Sequence, residues 1–166
     1  ALQDLKLDRA QVAIEMEFLP AKDFAALQRH LPHVKWVGAD ALFNKARQIK
    51  TPNELVLLRA LSKLTDNAIG TALRAAKIGM SEMELAGTLL TTLFAGGAES
   101  YKLMIIASGE RSEFPNVGPS ARQLKYGDII RMEIFGQKRG YLAGVCRTAV
   151  VGEATVQVWP FLRINA

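Results

Sequence analysis

Tyr126-Gly127-Asp128-Ile129-Ile130-Arg131-Met132-Glu133-Ile134-Phe135 and Gly140-Tyr141-Leu142-Ala143-Gly144-Val145-Cys146-Arg147-Thr148-Ala149-Val150-Val151-Gly152 are the stretches whose reading decides the fold. Gly127-Asp128 is a turn signal. Ile129 to Phe135 and Tyr141 to Val151 are rich in apolar and β-branched residues, which predicts two strands. The glycines that bracket Gly136-Gln137-Lys138-Arg139-Gly140 predict the loop of a hairpin. Upstream, Leu103-Met104-Ile105-Ile106-Ala107 predicts a buried strand. Gly109 to Arg122, rich in Gly, Pro and Ser, predicts a loop between that strand and the hairpin.

The region before it is helical. Thr51-Pro52 is a helix start, with a hydroxyl followed by proline in the first turn. Thr51 and Glu54 have capping-box spacing. Leu55, Leu58, Leu61, Leu64, Ala68, Ala72 and Ala75 keep one apolar face, and Gly79 is a stop. Ser81 and Glu84 repeat the capping-box spacing, Leu85, Leu89 and Leu93 share a face, and Gly96-Gly97 ends the helix. Before Thr51 the pattern is β-α-β-α: a strand near Val12 to Phe18, a helix from Ala21 to Leu31, a strand over Val34 to Val37 and a helix over Asp40 to Ile49. That is too short for a full doubly wound sheet.

Composition narrows the function classes. The 166 residues are 49% apolar and 22% charged, which is globular. No apolar run reaches the roughly 18 residues of a membrane span. No basic-then-apolar leader is visible at Ala1-Leu2-Gln3-Asp4-Leu5-Lys6. The charge of +5 is spread along the chain without a basic run, which argues against nucleic acid. One cysteine excludes an internal disulfide and a four-cysteine zinc site. It also suits a cytoplasmic location.

Three pieces occur in a telling order: Arg47-Gln48-Ile49-Lys50-Thr51-Pro52-Asn53-Glu54, the loop Ser108-Gly109-Glu110-Arg111-Ser112-Glu113-Phe114-Pro115-Asn116-Val117-Gly118-Pro119-Ser120, and the hairpin. Over residues 45–153 the chain resembles the pita-bread family of methionine aminopeptidase, aminopeptidase P, prolidase and creatinase. There the linker often reads R-x-I-K-[ST]-x-x-E, and the hairpin G-D-[LIV]-[LIV] … G-Y … [DE]-x-[TE]-R-T-x-x-V-G. The resemblance implies an α+β pita-bread fold, incomplete here, with residues 51–153 as the first α-α-β-β repeat. Residues 1–50 would be the tail and linker of an α/β N-terminal domain, and residues 154–166 an irregular tail. It also implies hydrolysis of amide or other C–N bonds in small substrates such as Xaa-Pro peptides. A half sheet with a free edge and a free face implies a homo-oligomer.

The resemblance carries specific residues. Its peptidases bind two divalent ions, Mn²⁺-like or Co²⁺-like, through two Asp, one His and two Glu. The first Asp corresponds to Glu133, and the second, eleven residues later, to Gly144. A family histidine in the loop corresponds to Asn116, which cannot shuttle a proton near neutral pH. Creatinase places a substrate-binding Glu where Cys146 stands. No histidine follows His33. These departures imply a degenerate metal site, with no metal cofactor expected in this chain and no turnover from it alone.

No catalytic residue is assigned. Asn116, Glu133 and Arg147 are the candidates for binding a small peptide or amide, and Glu133 is the candidate metal ligand. Each has a structural alternative: Glu133 as the partner of Arg131 or Arg147, Asn116 as a loop residue satisfying backbone groups, Arg147 as the holder of a carboxylate. Cys146 reads as a packed strand thiol, because a reactive thiolate needs a base or a positive field. Ser112 and Ser120 lack a base. His30 and His33 flank Pro32 at a helix end without carboxylates around them. A non-catalytic peptide-binding or assembly module on the same fold is the competing reading.

Overall fold

In the computed structural model, which describes residues 2–153, the chain divides between Thr51 and Pro52 into two units. The first holds β1 (Gln11–Ile14), α1 (Ala21–His30), β2 (Lys35–Gly38) and α2 (Asp40–Gln48). β1 and β2 pair in parallel, with Val12 opposite Trp36, and α1 is the crossover that a parallel pair requires. β1 is shorter than the sequence predicts. The backbone N–H groups of Met16 and Glu17, which would continue a strand, donate instead to the Asp40 carboxylate at 3.2 and 3.1 Å.

The second unit runs α3 (Pro52–Ala75), α4 (Glu82–Ala95), β3 (Ser100–Ser108), a single 3₁₀ turn (Gly109–Glu113), β4 (Ile129–Lys138) and β5 (Tyr141–Val150). The strands form one antiparallel sheet in the order β3-β4-β5. The second capping box is present in full: Ser81 Oγ accepts from Glu84 N, and the Glu84 carboxylate accepts from Ser81 N. These bonds hold the Glu84 carboxyl below its ordinary value. Gly97 ends α4 in the left-handed region, at φ +90°, where glycine has no Cβ to clash.

The core lies on one face of this sheet. Ala68, Ile69 and Ala72 of α3, and Leu85, Leu89 and Leu93 of α4, pack with Ile106 of β3 and with Ile130, Met132 and Ile134 of β4. Strand alternation puts these β4 residues on the helix side. α3 departs from its predicted stripe. Its buried residues are Leu61, Thr65, Ala68, Ile69 and Ala72, while Leu55 and Val56 in its first turns are exposed. Thr65 takes a core position because its hydroxyl donates to Leu61 O at 2.9 Å.

The hairpin also departs from its predicted bounds. Pairing continues through Gly136↔Ala143, Gln137↔Leu142 and Lys138↔Tyr141, so only Arg139 and Gly140 form the turn. Both have positive φ, 50° and 80°, as a type I′ turn demands. Arg139 N donates to Glu99 Oε2 at 2.8 Å, which supports this conformation at a non-glycine residue. Gly136 is therefore a strand residue. Its missing Cβ leaves room for Thr65 Oγ1 and Leu93 Cδ1, 2.7 and 3.2 Å from where that carbon would be.

Gly136→Ala is accordingly expected to destabilise the chain by about 1–3 kcal/mol through overpacking, measured by chemical denaturation. An unchanged midpoint would show that α3 and α4 do not seat against β4 at this residue.

Candidate functional site

The loop before the hairpin is organised by a buried carboxylate. Glu82 opens α4 and is 0% exposed. Its Oε1 accepts from Ser108 N at 2.8 Å and Ser108 Oγ at 2.7 Å. Its Oε2 accepts from Ser120 N at 2.9 Å, from Ser120 Oγ at 2.7 Å and from the Arg111 guanidinium. The helix N-terminus favours the negative charge. A carboxylate out of water needs this many donors, because removing one partner of a buried pair costs about 3–5 kcal/mol. The same loop supplies acceptors to α4: Arg122 O takes Glu82 N–H at 3.0 Å and Ser120 O takes Met83 N–H at 3.1 Å. The end of β3, the 3₁₀ turn and the loop are thus tied to one helix end.

Arg122 extends the network. It donates to Ser108 Oγ at 2.9 Å, to both oxygens of Asp128 at 2.5 and 3.0 Å, and to Glu110 at 2.7 and 2.9 Å. The Arg122 hydrogen bond holds the Glu110 carboxyl down at about 2. Burial pushes the Asp128 carboxyl up, but Arg122 and the Lys125 N–H outweigh it and leave it below its ordinary value. The predicted Gly127-Asp128 turn is fixed at the same time, since Asp128 accepts from Lys125 N at 2.8 Å.

The face of the sheet away from the core carries the candidate site. Alternation places Arg131, Glu133, Phe135 and Gln137 of β4 there. Their β5 partners are Thr148, Cys146, Gly144 and Leu142, and Ile105 and Ala107 of β3 lie opposite Glu133 and Arg131. The loop reaches this face through Arg131, whose Nη2 donates to Phe114 O. The buried Arg131 Nε has no partner among the described residues. Glu133 meets Cys146 directly across the strands. Burial pushes the Cys146 thiol up, and the hydrogen bond and charge of Glu133 push it further, against weaker pulls from Arg147 and Arg131. Cys146 is exposed on this face, not packed as the sequence predicts. Beside them, the Phe135 ring lies over Gly144 and helps to line an open pocket of about 340 Å³ with Lys102, Leu103 and Leu142.

The three residues singled out in the sequence occupy different places. Glu133 is on this open face. Asn116 is exposed in the loop at φ +52°, a conformation that asparagine tolerates better than most residues. Arg147 is opposite Met132, so it lies on the helix side, where it pairs with Asp66 of α3 at 2.6 Å. The structure does not bring Arg147 and Glu133 to one face. Ser120 and Ser112 serve the loop, Ser112 Oγ donating to Gly109 O at 2.7 Å. Sequence reasoning missed Glu82, Arg111 and Arg122. The one available signal was a second acid, Glu82, inside the Ser81–Glu84 capping box.

Comparison with known proteins places this geometry. The sequence profile of metallopeptidase family M24 matches residues 56–163. The chain belongs to the M24 metallopeptidase family. An uncharacterized peptidase of Bacillus subtilis, YqhT, is 32% identical over 115 residues, covering 69% of this chain and 33% of that protein. The Xaa-Pro dipeptidase of Pyrococcus furiosus is 29% identical over 114 residues, covering 68% of this chain and 33% of that protein. The crystal structure of the X-Pro aminopeptidase of Thermotoga maritima superposes with a TM-score of 0.85 at 26% identity, covering 95% of this chain and 44% of that one. The chain thus spans under half the length of each of these relatives. The α+β fragment matches about that share of a pita-bread prolidase-type chain.

M24 enzymes use divalent metals, and the donor set here can be tested for them. Glu133 is the single carboxylate on the open face of β4 and β5, and Cys146 is its cross-strand partner. Gly144 supplies no ligand. Among the described residues no group of three or more His, Cys, Asp or Glu is placed to hold a metal ion. These residues do not fit a dinuclear M24 centre. His30 lies in the last turn of α1, in the other unit.

The Arg122 network makes stability depend on pH. Glu110 and Asp128 have depressed folded values, so their contribution is complete above the ordinary carboxylate range near 4.5. It is lost as pH falls through the folded values, about 2 for Glu110. Arg122→Gln should flatten this acid limb, read as a smaller fall in Tm between those two pH values than the parent chain shows. An acid limb of unchanged steepness would assign the loss to other carboxylates.

Proposed function

We propose that the intact protein is a hydrolase of amide or other C–N bonds in small substrates, Xaa-Pro peptides among them, with a degenerate metal site. Residues 51–153 would be the first repeat of its catalytic domain and residues 1–50 the tail and linker of an α/β N-terminal domain. The present chain would bind such ligands without turning them over. The observation that carries this reading is the open face itself: across β4 and β5 it holds a single carboxylate, Glu133, with Gly144 and Cys146 on the facing strand, where M24 peptidase chemistry calls for a pair. Glu133 would anchor an amine or amide N–H. Arg131, two residues away on the same face, would meet a carboxylate. Asn116 would orient the ligand from the loop. Arg147 would act instead on the helix side, where it holds the carboxylate of Asp66.

A peptide-binding or assembly module on the same fold gains support from one feature. On the side of Glu133 away from Arg131 the face is apolar, with Phe135, Leu103 and Leu142 lining a pocket, and such a surface suits retention of a side chain more than activation of water.

Turnover and binding separate these readings. The chain is incubated with Xaa-Pro dipeptides with and without Mn²⁺, and product is followed by chromatography while binding is followed by calorimetry. The expected result is no product, and weak binding that falls at least tenfold in Glu133→Gln. Metal-dependent product would overturn the degenerate-site reading, and binding indifferent to Glu133→Gln would remove the open face from the proposal.

The homo-oligomer expected from the sequence rests on the sheet order, since among the described residues β3 and β5 each pair with β4 alone. A monodisperse monomer in sedimentation would count against it.

A further inference from the structure

Phe135 and Gly144 are direct cross-strand partners in the β4–β5 ladder. Cross-strand partners share a face, and their Cβ atoms would stand about 5 Å apart. The Phe135 ring does not project away from the sheet. It turns across the strand and lies in the space above Gly144. A Cβ built on Gly144 would come within 2.7 Å of ring Cδ1 and 2.8 Å of ring Cζ, and nearer still to Cε1. No side chain fits at residue 144 while the ring keeps this position. The ring also forms part of the wall of the open pocket lined by Lys102, Leu103 and Leu142. Swinging it away from Gly144 would uncover that residue and reshape the pocket.

We propose that Phe135 and Gly144 act as one steric unit that closes the open face to a second carboxylate and so keeps it free of divalent cations. This deepens the degenerate-site reading and rests on it. On that reading the cation is absent because Gly144 lacks an oxygen. The geometry adds that an oxygen cannot simply be put back. Asp at residue 144 would have to displace an aromatic ring before its carboxylate could approach Glu133, which lies diagonally across the strands. Removing the ring supplies the missing space. Residue 144 and Glu133 can then present two hard oxygen donors on one face, the donor type that Mn²⁺ selects.

Five proteins test this, each by chemical denaturation and by calorimetric titration with Mn²⁺ alone. They are the parent chain, Gly144→Asp, Phe135→Ala/Gly144→Asp, that double variant carrying Glu133→Gln as well, and Phe135→Ala alone as the reference for losing the ring. The parent is expected to bind no Mn²⁺ at millimolar concentration. Gly144→Asp should unfold at lower denaturant and gain no binding. The double variant should recover stability relative to Gly144→Asp, to near the level of Phe135→Ala, and bind Mn²⁺ at least tenfold more tightly than the parent. Glu133→Gln should remove that gain.

Gly144→Asp that folds like the parent and binds Mn²⁺ would overturn the proposal, because the ring would not be excluding anything. A double variant no more stable than Gly144→Asp, or one without a gain in binding, would overturn it as well. Tight Mn²⁺ binding by the parent itself would instead strike the degenerate-site reading, so the two failures are distinguishable.

Discussion

A negative charge without access to water must be answered by donors, and in this chain Glu82 collects them from three separate segments. Ser108 belongs to the end of a strand, Arg111 to a 3₁₀ turn and Ser120 to a loop. Each gives the carboxylate a hydrogen bond, and Ser108 and Ser120 give two. The helix start contributes its dipole to the same oxygens. Because any one missing donor would leave a buried charge underpaired, the segments stay together or the network fails as a whole. A loop of fourteen residues from Gly109 to Arg122, rich in Gly, Pro and Ser, is thereby given one path. Arg122 carries that order on to Asp128, the residue before β4.

The two faces of the sheet answer to different constraints. On the helix side, close packing decides: Gly136 makes room for Thr65 and Leu93, and Ile130, Met132 and Ile134 are fully buried. On the open side, packing has displaced polarity. The M24 resemblance sets two carboxylates there, whereas this chain has Glu133 beside a thiol, and Phe135 lying over Gly144. The family and the backbone are retained, while Gly144 offers no donor beside Glu133. Fold and chemistry are separable in this way because strand pairing depends on backbone hydrogen bonds and on the apolar face alone.

Much was legible in the sequence where one rule acts locally. The Ser81–Glu84 capping box, the Leu85-Leu89-Leu93 stripe and the β-α-β-α start follow from spacing that a single helix or strand imposes. The hairpin bounds were not legible, because Gly136 resembles a turn glycine and is in fact a packing glycine against α3. The α3 stripe was partly misread, since Thr65 can enter a core only by returning its hydroxyl to Leu61 O. Within the candidate site, Glu133 sits on the open face of the sheet, but Arg147 was grouped with it on the strength of motif proximity. Strand alternation separates them, as adjacent residues Cys146 and Arg147 point to opposite faces.

The sequence by itself determined the element types, the order of the second unit and the family, because those depend on residue periodicity, caps and motif spacing along the chain. Tertiary structure alone decided which charges meet and which spaces are filled. Glu82 finds Ser108, Arg111 and Ser120 across 26 to 38 residues, and Phe135 occupies the space above Gly144 only once β4 and β5 are in register. Such contacts depend on distances in space between groups far apart in the chain, and no local pattern of residues encodes them.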